Sequence, residues 1–205
     1  MFDAALIQHC ADPSLKPAIV ERFVAAAGSN DPLAVTVKSG GRLILVPKAA
    51  SAEAAMAIVR QYVGQAVVRV GLTQFPAGVG IKDAADLKPD LVDACENLRK
   101  GTAMFAKTLR IVAKWYGNPD SDDGVKQVFE DAVYAWKTGE FEGSNVFQAE
   151  DPGGPIESGR EPTESEETNA ADDEAPSPTG VEPTDEKKIG AAGMRVDLSR
   201  IGGQK

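Results

Sequence analysis

The chain has 205 residues, enough for one ordinary domain and an appendage. Its formal net charge is −9, of which −7 falls on residues 151–205, where 13 Asp/Glu face 6 Lys/Arg, leaving −2 for residues 1–150. An acidic tail repels phosphate backbones and a nearly neutral body offers no counterion-releasing basic surface, so the composition argues against direct nucleic-acid binding, and no run approaches the ~20 apolar residues of a membrane span.

Residues 3–10 and 14–27 read as two helices, the second opening at Ser14 as N-cap with Pro17 in its first turn and Leu15, Ile19, Val20, Phe23 and Val24 along one side. Gly28-Ser29-Asn30-Asp31-Pro32 ends it. Leu33 to Val37 and Leu43 to Val46 are β-rich runs around Ser39-Gly40-Gly41, the pattern of a hairpin, and Pro47 closes the second strand. The Ala-rich run from Ser51 to Tyr62 favours a helix, and Val67 to Val70 is a short extended run leading into Gly71-Leu72-Thr73-Gln74. Beyond Pro89 the longest helical stripe passes through Leu98, Phe105, Leu109, Val112 and Tyr116 before Asn118-Pro119 breaks it. Residues 123–137 give one more helix, with Val125, Val128, Phe129, Ala132 and Trp136 on one face.

This order predicts an α+β fold, predominantly α, with one small β-hairpin in its first half. Residues 148–205 lack Phe, Tyr and Trp and are dominated by Pro, Gly, Ser, Thr and Glu, so they cannot bury enough apolar surface to offset ordering entropy. The expected organisation is therefore an ordered domain over 1–147 and a disordered acidic tail over 148–205. Near its end Met194, Leu198 and Ile201 recur at i, i+4, i+7, a helical face suited to a partner groove.

Chemistry-bearing residues are few. His9 has no Cys, His or Asp companions at ligand spacing, and no P-loop, dinucleotide fingerprint, triad or zinc spacing occurs, so neither metal nor cofactor is expected. Taken alone, Cys10 and Cys95 allow two buried thiols or one disulfide. Trp115-Tyr116 reads as core. The start Met1-Phe2-Asp3-Ala4 has no basic head followed by an apolar run, which predicts a cytoplasmic protein, the alternative being periplasmic.

Six landmarks follow one another with characteristic gaps: Leu6-Ile7-Gln8-His9-Cys10-Ala11, Asp31-Pro32-Leu33-Ala34-Val35, Gly40-Gly41-Arg42-Leu43, Val70-Gly71-Leu72-Thr73-Gln74, Ala94-Cys95-Glu96-Asn97-Leu98-Arg99-Lys100-Gly101 and Ala132-Val133-Tyr134-Ala135-Trp136-Lys137-Thr138-Gly139-Glu140-Phe141. In this order they resemble the motifs of VirB-type lytic transglycosylases, wall-cutting enzymes of type IV secretion related to goose-type lysozyme, over roughly residues 5–147. The strings Val70 to Phe75 and Asp93 to Gly101 are most similar to TraH proteins of Ti-plasmid-type conjugation operons. The resemblance implies a lysozyme-like domain and a role in conjugal transfer. Its partners would be conjugation or type IV secretion proteins, with peptidoglycan as a further surface. It also implies that Cys10 pairs with Cys95. Gly71, Leu72, Thr73 and Gln74 would meet a sugar N-acetyl group, with Asn97 and Trp136 on the cleft wall. Read from the residues alone, Gly71 to Gln74 is equally a strand-to-loop turn, and Glu96-Asn97 a helix first turn.

A lytic transglycosylase uses one carboxylic acid to protonate the glycosidic oxygen and then to assist ring closure. The resembling enzymes carry this Glu at the end of the second helix, shortly before the Asn/Asp-Pro pair. The corresponding position is Ala27, and no residue from Phe23 to Asn30 is a carboxylate. Glu21 is the nearest substitute, followed by Arg22 in place of Ser. The expectation is a catalytically inactive binding or scaffold module. Its alternatives are an active transglycosylase using Glu21 and a cytoplasmic accessory factor of the DNA-processing complex.

Overall fold

The computed structural model describes residues 4–156. The expectations for residues 1–3 and for the chain beyond 156, the Met194-Leu198-Ile201 face included, lie outside the described residues. Helix α1 spans Ala4–Cys10 and α2 spans Pro17–Ala27. Ser14 is not the cap of α2. Lys16 occupies that position without a side-chain hydrogen bond, and Pro17 stands at the first helical position, where its missing N–H removes a donor that would have no helical partner. Ser14 instead closes a turn on Asp12, whose Oδ1 accepts from the Ser14 backbone N–H at 2.8 Å.

Strands β1 (Val35–Ser39) and β2 (Arg42–Ile44) form the expected hairpin, with Val37 opposite Ile44. The hairpin is only half of the sheet. On the other side of β1 lies β3 (Val67–Val70), antiparallel, with Val35 opposite Val70 and Val37 opposite Val68. The two-residue β4 (Phe75–Pro76) completes a sheet of order β2-β1-β3-β4. Helix α3 (Ala52–Tyr62) starts at Ser51, whose side chain accepts from the Ala54 N–H at 3.2 Å. Its Ala55, Met56 and Val59 pack on Val37, Val68 and Val70 to make one apolar core.

Two short 3-10 turns, Ala84–Asp86 and Pro89–Val92, lead into α4 (Ala94–Trp115), capped by Asp93 through the Glu96 N–H at 2.9 Å. Helix α5 (Asp122–Thr138) runs from a Ser121 cap, and a second hairpin, β5 (Glu140–Phe141) with β6 (Ser144–Asn145), follows it. A second core lies among α2, α4 and α5. There the Phe23 and Phe105 rings stack at 3.8 Å, and Trp136 meets Phe23 edge-on at 5.2 Å. The architecture is mixed α/β, about half helical, with a small antiparallel sheet.

The core stripe of α4 ends at Val112, one turn earlier than its sequence spacing predicts. Trp115 and Tyr116 are 56% and 39% exposed, and the Tyr116 hydroxyl donates to Asp131 Oδ2 at 2.6 Å. The described chain continues past residue 147. Arg110 Nε donates to Asp151 Oδ1 at 2.8 Å, and Ile156 packs against the helical core.

Candidate functional site

Where β3 turns toward β4, Gly71 takes φ +72°, a conformation that favours glycine, and it lies against Asn97 in the first turn of α4. A Cβ at Gly71 would come within 2.4 Å of the Asn97 side chain. Asn97 is fully buried and serves both flanking segments. Its Nδ2 donates to the carbonyls of Val70 (3.0 Å) and Leu91 (2.8 Å), while its Oδ1 accepts from the Thr73 N–H and hydroxyl, each at 3.0 Å. One turn further along α4, Gly101 makes room for Thr73, whose Oγ1 would stand 2.1 Å from a Cβ placed there. The Asn97 to Gly101 spacing is therefore one helical turn, with both residues facing the same loop.

The 71–74 loop reaches two more elements. The Leu72 carbonyl accepts from the Ser29 N–H at 2.8 Å, fixing the chain just past the C-terminus of α2. The Thr73 carbonyl accepts from the Trp136 indole N–H at 3.0 Å. Gln74, at φ +52°, folds its side chain back so that Nε2 donates to the Gly71 carbonyl at 3.0 Å. These bonds bring Gly71, Leu72, Thr73, Gln74, Asn97 and Trp136 into one junction between sheet and helices. Trp136 is 1% exposed, so its ring packs inside the aromatic core and only its indole N–H serves the loop.

Arg69 is the member of this junction that sequence reasoning missed. It is 7% exposed, and its Nη2 donates to the carbonyls of Trp136 (2.6 Å) and Lys137 (3.2 Å) at the C-terminal end of α5. Those carbonyls carry the negative end of the helix dipole, and the Trp136 and Phe147 rings lie 5.7 and 5.2 Å away. Burial pulls the guanidinium down to about 10, so it remains charged at neutral pH. Among the described residues no carboxylate pairs with it. The available signal was a lone cation in the apolar run Val67-Val68-Arg69-Val70.

A disulfide joins Cys10 to Cys95 with Cα atoms 5.1 Å apart, tethering the end of α1 to the start of α4, two residues before Asn97. Close by, the Asp12 N–H donates to Thr102 Oγ1 at 2.8 Å. Glu21 is not brought to the junction. It is exposed on α2, six residues and about 9 Å along the axis from Ala27, and rotated by about 240° around the helix. His9 is exposed in the last turn of α1. Among the described residues no group of three or more His, Cys, Asp or Glu side chains could hold a metal ion, and no helix is long and apolar enough to cross a membrane.

The family model TraH_2 matches residues 1–203. The chain is 71% identical over 203 residues to the protein y4dP of Sinorhizobium fredii (strain NBRC 101917 / NGR234), a match covering 99% of this chain and 100% of that one. No solved structure matches the chain. Both matches extend nearly end to end, and the chain belongs to the TraH_2 family, within the TraH proteins of conjugal transfer.

Proposed function

We propose that this TraH_2 protein is a catalytically inactive, lysozyme-like binding or scaffold module of the conjugation apparatus, its partners being conjugation or type IV secretion proteins. One observation carries the reading. The C-terminal end of α2, where the resembling transglycosylases place their acid, abuts the 71–74 loop through the bond from Ser29 to the Leu72 carbonyl, yet the residue there is Ala27. Without a positioned acid, a general-acid contribution of ~10²–10⁴-fold is lost. Glu21 lies on another face of the helix and cannot replace it without unwinding α2. The loop itself is bonded to Asn97, Trp136 and Ser29, which supports a brace holding a surface in shape and leaves contact with peptidoglycan open to the exposed parts of Gln74 and its neighbours.

The domain is taken as residues 1–147 and the tail as 148–205. The Cys10–Cys95 disulfide supports an oxidising compartment and hence the periplasmic over the cytoplasmic placement. The test incubates isolated peptidoglycan with wild type, Glu21→Gln and Ala27→Glu and measures soluble anhydro-muropeptides against an active transglycosylase. No release by wild type is expected. Robust wild-type release overturns the inactive reading, and its loss in Glu21→Gln would make Glu21 the acid.

A further inference from the structure

The helical half of the molecule carries a surface that the junction does not use. Helix α2, the end of α4 and the start of α5 leave between them a groove of about 970 Å³, bounded on one side by residues 152–156. Its floor is apolar, formed by Ile19, Leu109, Val125, Val128 and Phe129. Lys16, Arg22, Lys114 and Lys126 stand around it. None of these four is in an ion pair among the described residues. Arg110 also borders the groove, but the Asp151 carboxylate neutralises it. Among the described residues only two carboxylates, Asp120 and Asp122, line the groove, so it is locally cationic on a chain of net charge −9.

One of the cations is fixed in place. The Arg22 guanidinium sits 4.3 Å from the centre of the Phe129 ring, which holds a positive charge at the lip directly above the apolar floor. Pockets for small molecules converge a few polar groups inside the cavity. Here the charges stand on the rim and the floor is hydrocarbon, an arrangement that suits apolar side chains pointing down and carboxylates resting on the edge. A phosphate backbone would meet Asp120 and Asp122 and gain nothing from the floor. We propose that this groove docks an amphipathic segment of a partner protein, with apolar anchors flanked by Asp and Glu. The surface is separate from the 71–74 junction, and the proposal stands whether or not the lysozyme-like reading does.

The probe is a fluorescein-labelled helical peptide with Leu at i, i+3, i+4 and i+7 and Glu on its remaining face. Its controls are the same peptide with Lys for Glu and a single-stranded DNA oligonucleotide. With the full chain, the acidic peptide is expected to raise the anisotropy while both controls leave it flat. The double variant Lys16→Glu/Lys126→Glu, altered only at exposed positions, should bind about tenfold more weakly, with circular dichroism unchanged. Amide shift changes should centre on Ile19, Val125 and Phe129. The proposal is overturned by no binding of the acidic peptide at millimolar concentration, by equal binding of the Lys peptide, or by an unaffected double variant. Preferential oligonucleotide binding would assign the groove to nucleic acid. A dimer broken by the same double reversal would assign it to a second copy, and tighter binding by a synthetic peptide of residues 157–186 would assign it to the chain itself. Each of these three outcomes also overturns the partner reading.

Discussion

The junction around Asn97 and the groove beside Phe129 are opposite in physical character although both are built on α4 and α5. In the junction, all four hydrogen bonds of the Asn97 amide end on protein atoms, and two glycines are pressed against neighbouring side chains. In the groove, four cations stand over hydrocarbon, and none of them is in an ion pair among the described residues. A surface whose polar groups are all engaged resists substitution and offers little to a ligand, whereas one with unpaired charge tolerates substitution and has attraction to give. The strings that resemble a sugar-cutting family thus sit where the fold is held together, and the surface best suited to a partner lies elsewhere.

The largest test of this contrast is Asn97→Leu. It leaves the Thr73 N–H and the Val70 and Leu91 carbonyls without their buried partner, and at ~1–3 kcal/mol for each unsatisfied group the loss should reach about 3–5 kcal/mol. Urea unfolding would read this directly, and thermal unfolding should show a fall of at least ~10 °C. A loss under about 1 kcal/mol would break the contrast. Next comes Cys10→Ser/Cys95→Ser. The bridged residues are 85 apart, so removing the bond should lower stability by about 2–4 kcal/mol, and mild reduction of wild type should reproduce most of that change.

Trp136→Phe keeps most of the ring packing but deprives the buried Thr73 carbonyl of its donor, with an expected loss of about 1–2 kcal/mol and intact secondary structure. Smaller still is the pH effect of the Arg110–Asp151 pair. The Arg110 hydrogen bond holds the Asp151 carboxyl at about 2, below its ordinary 3.8. The pair's contribution is therefore fully present above pH 3.8 and lost as pH falls through about 2. Because Asp151 is 40% exposed, that contribution is only ~0.2–1 kcal/mol, and carboxyl NMR titration would place the midpoint. The smallest effect belongs to the groove. Lys126→Glu should change stability by less than ~0.5 kcal/mol, and a large loss there would mean that the rim is part of the fold after all.

Helices α1 to α5 and the β1–β2 hairpin were legible because their apolar spacing and turn residues are local signals. Strand β3 was visible as an extended run, but its place at the centre of the sheet depends on β1, more than thirty residues earlier, and no local period records that pairing. Strands β5 and β6, two residues each, are too short to show alternation. The spacing on α4 continues through Tyr116, yet packing stops at Val112, because periodicity tells which way a side chain points and not whether anything stands opposite it. In the junction, the residue types at Gly71 to Gln74 and Asn97 were recognisable as a set. Their mutual bonds, and the part played by Arg69, required the fold, since hydrogen bonds between residues 24 to 68 apart leave no mark on spacing.

The disulfide has a topological consequence. Residues 10 to 95 form a closed covalent ring that contains α2, α3 and all four strands of the larger sheet. A protease that cuts the exposed turn between β1 and β2 would leave the two halves linked, so a nicked molecule should migrate as one species until it is reduced and only then separate into two fragments.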